Sequence, residues 1–233
     1  MELFYLGGKS SALRYAARHL EGMGYLFSDK LRPEVTHILL DVPTPGAEME
    51  FPDTPSQNTC IIGGNLPPMD PRPILDLLQD PVYVAENAYI TAHCAVKLAM
   101  NRLSVPLRHC KILVIGWGRI GKCLAALLKG LEAEVTVAAR KESDRAMLSA
   151  LGYGAVDTAQ LSGNGYRIIF NTAPAMVLTD SSPCLKIDLA SFQGIRGQDV
   201  IIARGLPGKE APEASGELIA RRIVHYLKKE ETK

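Results

Sequence analysis

Long hydrophobic runs are missing from this chain. No uninterrupted apolar stretch approaches the roughly 18 residues that a membrane-spanning helix requires. The apolar start, Leu3-Phe4-Tyr5-Leu6, is cut at once by Gly7-Gly8 and has no basic flank, so no secretory signal is expected. Cysteine is sparse. Cys60, Cys94, Cys110, Cys123 and Cys184 stand far apart, odd in number and without a CxxC pair, which argues against a disulfide framework and a zinc site. Reduced, mostly buried thiols in a cytoplasmic protein are the expectation, with no metal. An excess of one charge is lacking too: the formal net charge is +1, so no overall field favours nucleic acid or an anionic membrane. HExxH, GxSxG and Walker loops are absent, and no histidine lies between His109 and His225.

What is present suits an ordinary globular protein. Hydrophobic residues make up 47% and charged ones 22% of 233 positions, enough for one large domain or two small ones. Short apolar runs alternate with helical patterns in the first third. Strands are expected at Leu3–Leu6, His37–Leu40, Cys60–Ile62 and Val82–Ala85, with helices at Ser11–Met23 and around Ile74–Gln79. Pro43–Asn58 reads as a loop, and a second proline cluster spans Pro67–Pro73. A helical pattern over 88–103 resembles a connection between domains. Further strands are expected at Lys111–Ile115, Glu134–Ala138, Ile168–Phe170, Leu185–Leu189 and Val200–Ala203, and a closing helix over Ser215–Leu227. Such alternation predicts a doubly wound α/β fold with parallel sheets. The boundaries are a small α/β domain over 1–87, the connecting helix over 88–106, a Rossmann domain over 107–211 and a C-terminal helix over 212–233.

The clearest passage is Gly116-Trp117-Gly118-Arg119-Ile120-Gly121, set between a buried-strand run and an amphipathic helix. GxGxxG alone says little, but this context is the one its physics requires. Gly116 permits the tight turn, Gly118 lets backbone approach a pyrophosphate, and Gly121 lets helix and strand pack closely. Free N–H groups at the helix start then bind the phosphates. NAD-selective sites carry an acid at the end of the second strand. Here the segment reads Ala139-Arg140-Lys141-Glu142-Ser143, with Arg140 and Lys141 as a cationic fork and Ser143 as a hydrogen-bond donor. That favours the 2′-phosphate of NADP, with NAD as the alternative. Asn171-Thr172-Ala173-Pro174 and Asp188 follow later strands, where ligands of open α/β sheets sit. Asn171 and Thr172 are equally good turn formers. For chemistry, Lys209 is a candidate for a substrate carboxylate. His93 and Lys97 share one face of the connecting helix, which makes His93 the second catalytic candidate.

Taken together, the glycine loop, Ala138-Ala139-Arg140, Ile169 to Ala175 (Ile-Phe-Asn-Thr-Ala-Pro-Ala), Ile187 to Ser191 and Gly205 to Lys209 (Gly-Leu-Pro-Gly-Lys) resemble the nucleotide-binding (A-type) component of dipicolinate synthase over about residues 82–227. The resemblance implies a nucleotide-binding subunit that, with a flavoprotein B subunit, oxidises a dihydrodipicolinate-type dicarboxylate to dipicolinate in sporulating cells, using NADP. It implies an NAD(P)-dependent oxidoreductase with a small flavodoxin-like domain, a Rossmann domain, and a C-terminal helix returning to the first. Gly116, Gly118, Arg119, Ile120 and Gly121 would hold the pyrophosphate, Arg140 the 2′-phosphate, and Asn171 to Pro174 the nicotinamide side. Self-association is compatible with this reading. The chain departs from the family where Thr91-Ala92-His93-Cys94-Ala95 stands for Thr-Ala-Glu-Gly-Ala, and it is shorter near Pro43–Asn58. The alternatives are a D-2-hydroxyacid dehydrogenase, which the missing histidine disfavours, and an NADP-binding sensor or scaffold without turnover.

Overall fold

Aliphatic runs become parallel strands in both halves of the chain, and helices cover them. The computed structural model describes residues 2–46, 56–68 and 72–230. It forms two units: Met1–Asn87 with Pro207–Lys233, and Ala88–Leu206.

The first unit runs β1 (Leu3–Leu6), α1 (Ser11–Gly22), β2 (Leu26–Ser28), β3 (His37–Leu39), β4 (Cys60–Gly63) and β5 (Ile74–Asp76). Helix α1 starts where Ser10 accepts a hydrogen bond from the Leu13 amide, and it buries Ala12, Leu13, Ala16, Ala17 and Leu20. The strand order β2-β1-β3-β4-β5, parallel throughout, is that of flavodoxin-like folds. At its switch point the Asp41 carboxylate accepts from the Lys9 and Ser10 amides, at 3.0 and 3.1 Å. A carboxylate of the chain itself therefore fills the anion position beside α1.

Two expectations fail here. Ile74–Asp76 pairs with β4 as an edge strand, and only Leu77–Gln79 makes a 3₁₀ turn, because the free edge of β4 outweighs local helical preference. The expected strand at Val82–Ala85 lies inside α2 (Pro81–Met100). Proline opens that helix, and the Asp80 carboxylate accepts from the Val82 and Tyr83 amides. Partial burial works to raise the Asp80 carboxyl, but the Arg222 guanidinium and those amides outweigh it and hold it below its ordinary value. Residues 47–55 and 69–71, inside the two expected loops, lie outside the described residues.

The second unit follows α2 with β6 (Lys111–Ile115), α3 (Arg119–Gly130), β7 (Glu134–Ala138), α4 (Glu142–Ala150), β8 (Gly154–Val156) and β9 (Ile168–Asn171). Then come β10 (Leu178–Thr179), β11 (Leu185–Asp188), β12 (Ile195–Arg196) and β13 (Val200–Ile202). Six strands form one parallel sheet in the order β13-β11-β9-β6-β7-β8. That is the dinucleotide-binding order, with its reversal between β6 and β9. Ile112, Leu113, Val114 and Ile115 are all fully buried, as a strand covered on both faces demands. The short strands β8, β10 and β12 escape the sequence patterns because each has only two or three residues. Gly205–Lys209 leads into a short helix, α5 (Leu206–Glu210). The last helix, α6 (Pro212–Glu230), packs on α1. Gly216 sits so close that a Cβ there would lie 2.5 Å from the Ala12 carbonyl oxygen.

One buried charge in the second unit carries a stability prediction. Lys186 of β11 is 1% exposed, donates to the Ser182 carbonyl at 2.5 Å and lies 3.4 Å from the Asp180 carboxylate. Burial pushes the Asp180 carboxyl up, but the Ser182 hydroxyl and amide and Lys186 together hold it below its ordinary value. A depressed folded pKa stabilises above the unfolded value of about 3.9 and stops doing so as pH falls through the folded one. Asp180→Asn leaves the lysine charge uncompensated and should cost about 3 kcal/mol in urea unfolding at pH 7. The gap from wild type should close in acid. A gap unchanged down to pH 2 would show that the charge pair is not its source.

Candidate functional site

The glycine loop lies at the reversal of the second sheet. Gly116 has φ +103°, a backbone conformation open mainly to glycine, and its amide continues the sheet by donating to the Ala138 carbonyl at 2.9 Å. A Cβ on Gly121 would run into the Gly116 carbonyl, so the close strand–helix approach needs glycine there. Gly118 caps α3 without a side-chain hydrogen bond, and a Cβ there would meet nothing within 4 Å. The first-turn amides of α3, over Arg119, Ile120 and Gly121, thus receive no side-chain cap from Gly118, and they stand at the positive end of the helix dipole. Trp117, the chain's one tryptophan, lies half-buried on the flank, edge-on to Tyr153 with Lys122 over its ring.

The strand-end segments come together here. Asn171 is fully buried: its amide nitrogen donates to the Ala173 carbonyl and to Asp188, and its oxygen accepts from the Ala173 amide. Asp188, 1% exposed, also accepts from the amides of Ala190, Gly194 and Ile195 at 3.1, 2.7 and 3.0 Å. The Thr172 hydroxyl donates to the Ile115 carbonyl at 2.9 Å, tying β9 to the strand that carries the glycine loop. The Asn171 and Asp188 side chains both shape the loops. Ala173 is half-buried against the core and Pro174 is exposed, and the same loops carry Met176 and Phe192, 40% and 56% exposed.

At the end of β7, Arg140, Lys141 and Ser143 are all exposed. Sequence reading missed the group that organises them. Arg145 Nη1 donates to the Ala139 and Arg140 carbonyls, both at 2.8 Å, and pairs with Asp157 at 2.9 Å. Asp157 comes from beyond β8, and only the β7–β8 pairing brings it near. Arg204, just past β13, was also missed. Its Nε donates to the Ala190 carbonyl at 3.3 Å, and its terminal nitrogens make no hydrogen bond to the described residues. A cation one residue past a predicted strand end was the available signal.

The two catalytic candidates belong to different units. His93 stands edge-on to Tyr89, with ring centroids 4.5 Å apart. Both line an apolar groove of about 740 Å³ along α3, with Val96, Cys123, Leu127 and Leu131. None of the groove's lining residues belongs to the glycine loop or the strand-end loops. The helical periodicity that paired it with Lys97 does not reveal which neighbour that face meets. Lys209 is exposed on α5, in the first unit. Among the described residues no group of His, Cys, Asp and Glu is arranged to hold a metal, and no helix is long and apolar enough to cross a membrane.

No protein-family model matches the chain. In sequence it is 26% identical over 172 residues to the A-type component of dipicolinate synthase from Bacillus subtilis. That alignment takes in 67% of this chain but only 58% of the relative. Among solved structures, the corresponding dipicolinate synthase component from Bacillus halodurans superposes with a TM-score of 0.79 at 20% identity, covering 97% of each chain. The apo-structure of D-lactate dehydrogenase from Escherichia coli superposes with a TM-score of 0.60 at 14% identity, covering 100% of this chain and 98% of that one. In sequence the chain is thus similar to the A-type component of dipicolinate synthase, and it shares an α/β fold with that protein and with D-lactate dehydrogenase.

Proposed function

We propose that the chain is the nucleotide-binding subunit of a dipicolinate synthase-type oxidoreductase, which uses NADP to convert a dihydrodipicolinate-type precursor to dipicolinate. The observation that carries this reading is the uncapped head of α3 at the reversal of a β13-β11-β9-β6-β7-β8 sheet, in a chain whose curated relative is the A-type component of dipicolinate synthase. When bound, an oxidised nicotinamide supplies a hydride acceptor. The chain's own part is to hold and orient. The amides of Arg119, Ile120 and Gly121 take the pyrophosphate. Arg140 and Lys141 take the 2′-phosphate. The loop over Asn171 to Pro174, braced by Asp188, supports the nicotinamide side. Arg204, steadied through Nε, offers its outer fork to a substrate carboxylate, and Lys209 is a second candidate for that charge. Formation of an aromatic ring favours the reaction, so little acid–base machinery is needed. A flavoprotein B subunit is the proposed partner, in the cytoplasm of a sporulating cell.

Turnover is tested by mixing the chain with NADP and enzymatically generated precursor, with and without the flavoprotein, and following NADPH at its absorbance band. NADPH should accumulate only with substrate present. Binding without turnover, even beside the partner, would replace the enzyme with a nucleotide sensor. In the same reading, Arg140→Ala should weaken NADPH about tenfold and leave NADH nearly unchanged, as loss of a charge-assisted phosphate contact requires. Isothermal titration with both nucleotides reads this directly.

A further inference from the structure

The cationic end of β7 is less cationic in three dimensions than in sequence. Arg140, Lys141 and Arg145 are matched by Glu142, Asp144 and Asp157, so three positive and three negative charges sum to zero. An unmasked carboxylate beside an adenosine ribose is the feature that selects NAD, because it accepts from the 2′-hydroxyl and repels a 2′-phosphate. Asp157 is the carboxylate paired with Arg145 at the end of β7. Ala138 pairs with Val156, and the Ala139 amide donates to the Val156 carbonyl at 3.1 Å, which sets Asp157 beside the turn that carries Arg140. One Asp157 oxygen accepts from the Ala159 amide, and the other faces Arg145 at 2.9 Å. The same Arg145 nitrogen holds the Ala139 and Arg140 carbonyls at 2.8 Å.

Resting on the NADP reading above, we propose that the Arg145–Asp157 ion pair sets the choice between the two nucleotides. Arg145 masks Asp157, fixes the backbone that presents Arg140, and so keeps the end of β7 fit for a phosphate. With Arg145 removed, the local balance falls to one net negative charge, and Asp157 is freed toward the ribose. Arg145 is a positioning residue, since it acts through Asp157 and Arg140. The two partners therefore have opposite effects, which a pair serving the fold alone would not produce.

The test measures NADPH and NADH affinities through quenching of the single tryptophan, Trp117, whose place on the glycine loop makes it a reporter. Arg145→Met should lower the NADPH:NADH affinity ratio by about tenfold or more, the size of a charge-assisted contact. Asp157→Asn should raise the ratio, and the double variant should return most of what Arg145→Met loses. Thermal melts establish that each variant folds, and Asp157→Asn decides the sign should Arg145→Met melt early. The proposal is overturned if both single variants shift the ratio downward, if Arg145→Met weakens both nucleotides alike, or if the double variant recovers nothing. A wild-type ratio near one counts against the NADP reading alone, because the ion pair's effect is read from shifts between variants.

Discussion

Gly121→Ala is expected to lose NADPH affinity by on the order of 100-fold, equal to about 2.7 kcal/mol. The new methyl would collide with the Gly116 carbonyl and lie 3.1 Å from the Thr172 hydroxyl. Neither neighbour yields easily. Gly116 holds φ +103° while its amide is bound to Ala138, and the Thr172 hydroxyl is bound to Ile115. The head of α3 must move instead, carrying its three open amides away from the diphosphate. Gly118→Ala is the matched control. With φ −82° and nothing within 4 Å, it should melt like wild type. Its methyl points into the space reserved for the ligand, so binding should weaken without loss of fold. Wild-type affinity in Gly121→Ala would move the nucleotide away from this loop altogether.

Asp188→Ala should be the most destabilising single change in the second unit, at about 4–5 kcal/mol in urea unfolding. Its carboxylate satisfies the amides of Ala190, Gly194 and Ile195 and the Asn171 side chain, all away from water. Removing it strands four buried donors at once. Asp188→Asn should lose roughly half as much, since one oxygen remains while the new amide nitrogen faces other N–H groups. NADPH should bind more weakly to both variants, because the loop over Asn171 to Pro174 loses its brace. A variant with wild-type unfolding behaviour and abolished binding would instead make Asp188 a direct ligand contact.

The legible parts of the site were those whose physics is local. A run such as Lys111–Ile115 followed by three glycines and an amphipathic helix specifies a strand, a turn with positive φ and an open helix head within twenty residues. No distant contact is needed, so loop and fold class could be read directly. Arg140 and Lys141 were legible for the same reason, as residues adjacent to a recognised strand end. For Asn171 and Asp188 only the strand-end position was legible. Strand-end position does not tell whether a polar side chain faces the cleft or the interior, and here burial turns both inward.

What the order of residues determined by itself was the pair of doubly wound α/β patterns and the tight glycine turn, both products of periodicity and of glycine's missing side chain. Tertiary structure alone decided the rest. It made β5 a strand, because the edge of β4 was free to pair. It placed His93 along the back of α3. It brought Asp157 to Arg145 across twelve positions of chain, through the pairing of β7 with β8. Charges separated in sequence acquire partners only when strands align, and an ion pair depends on that distance as well as on the two charges.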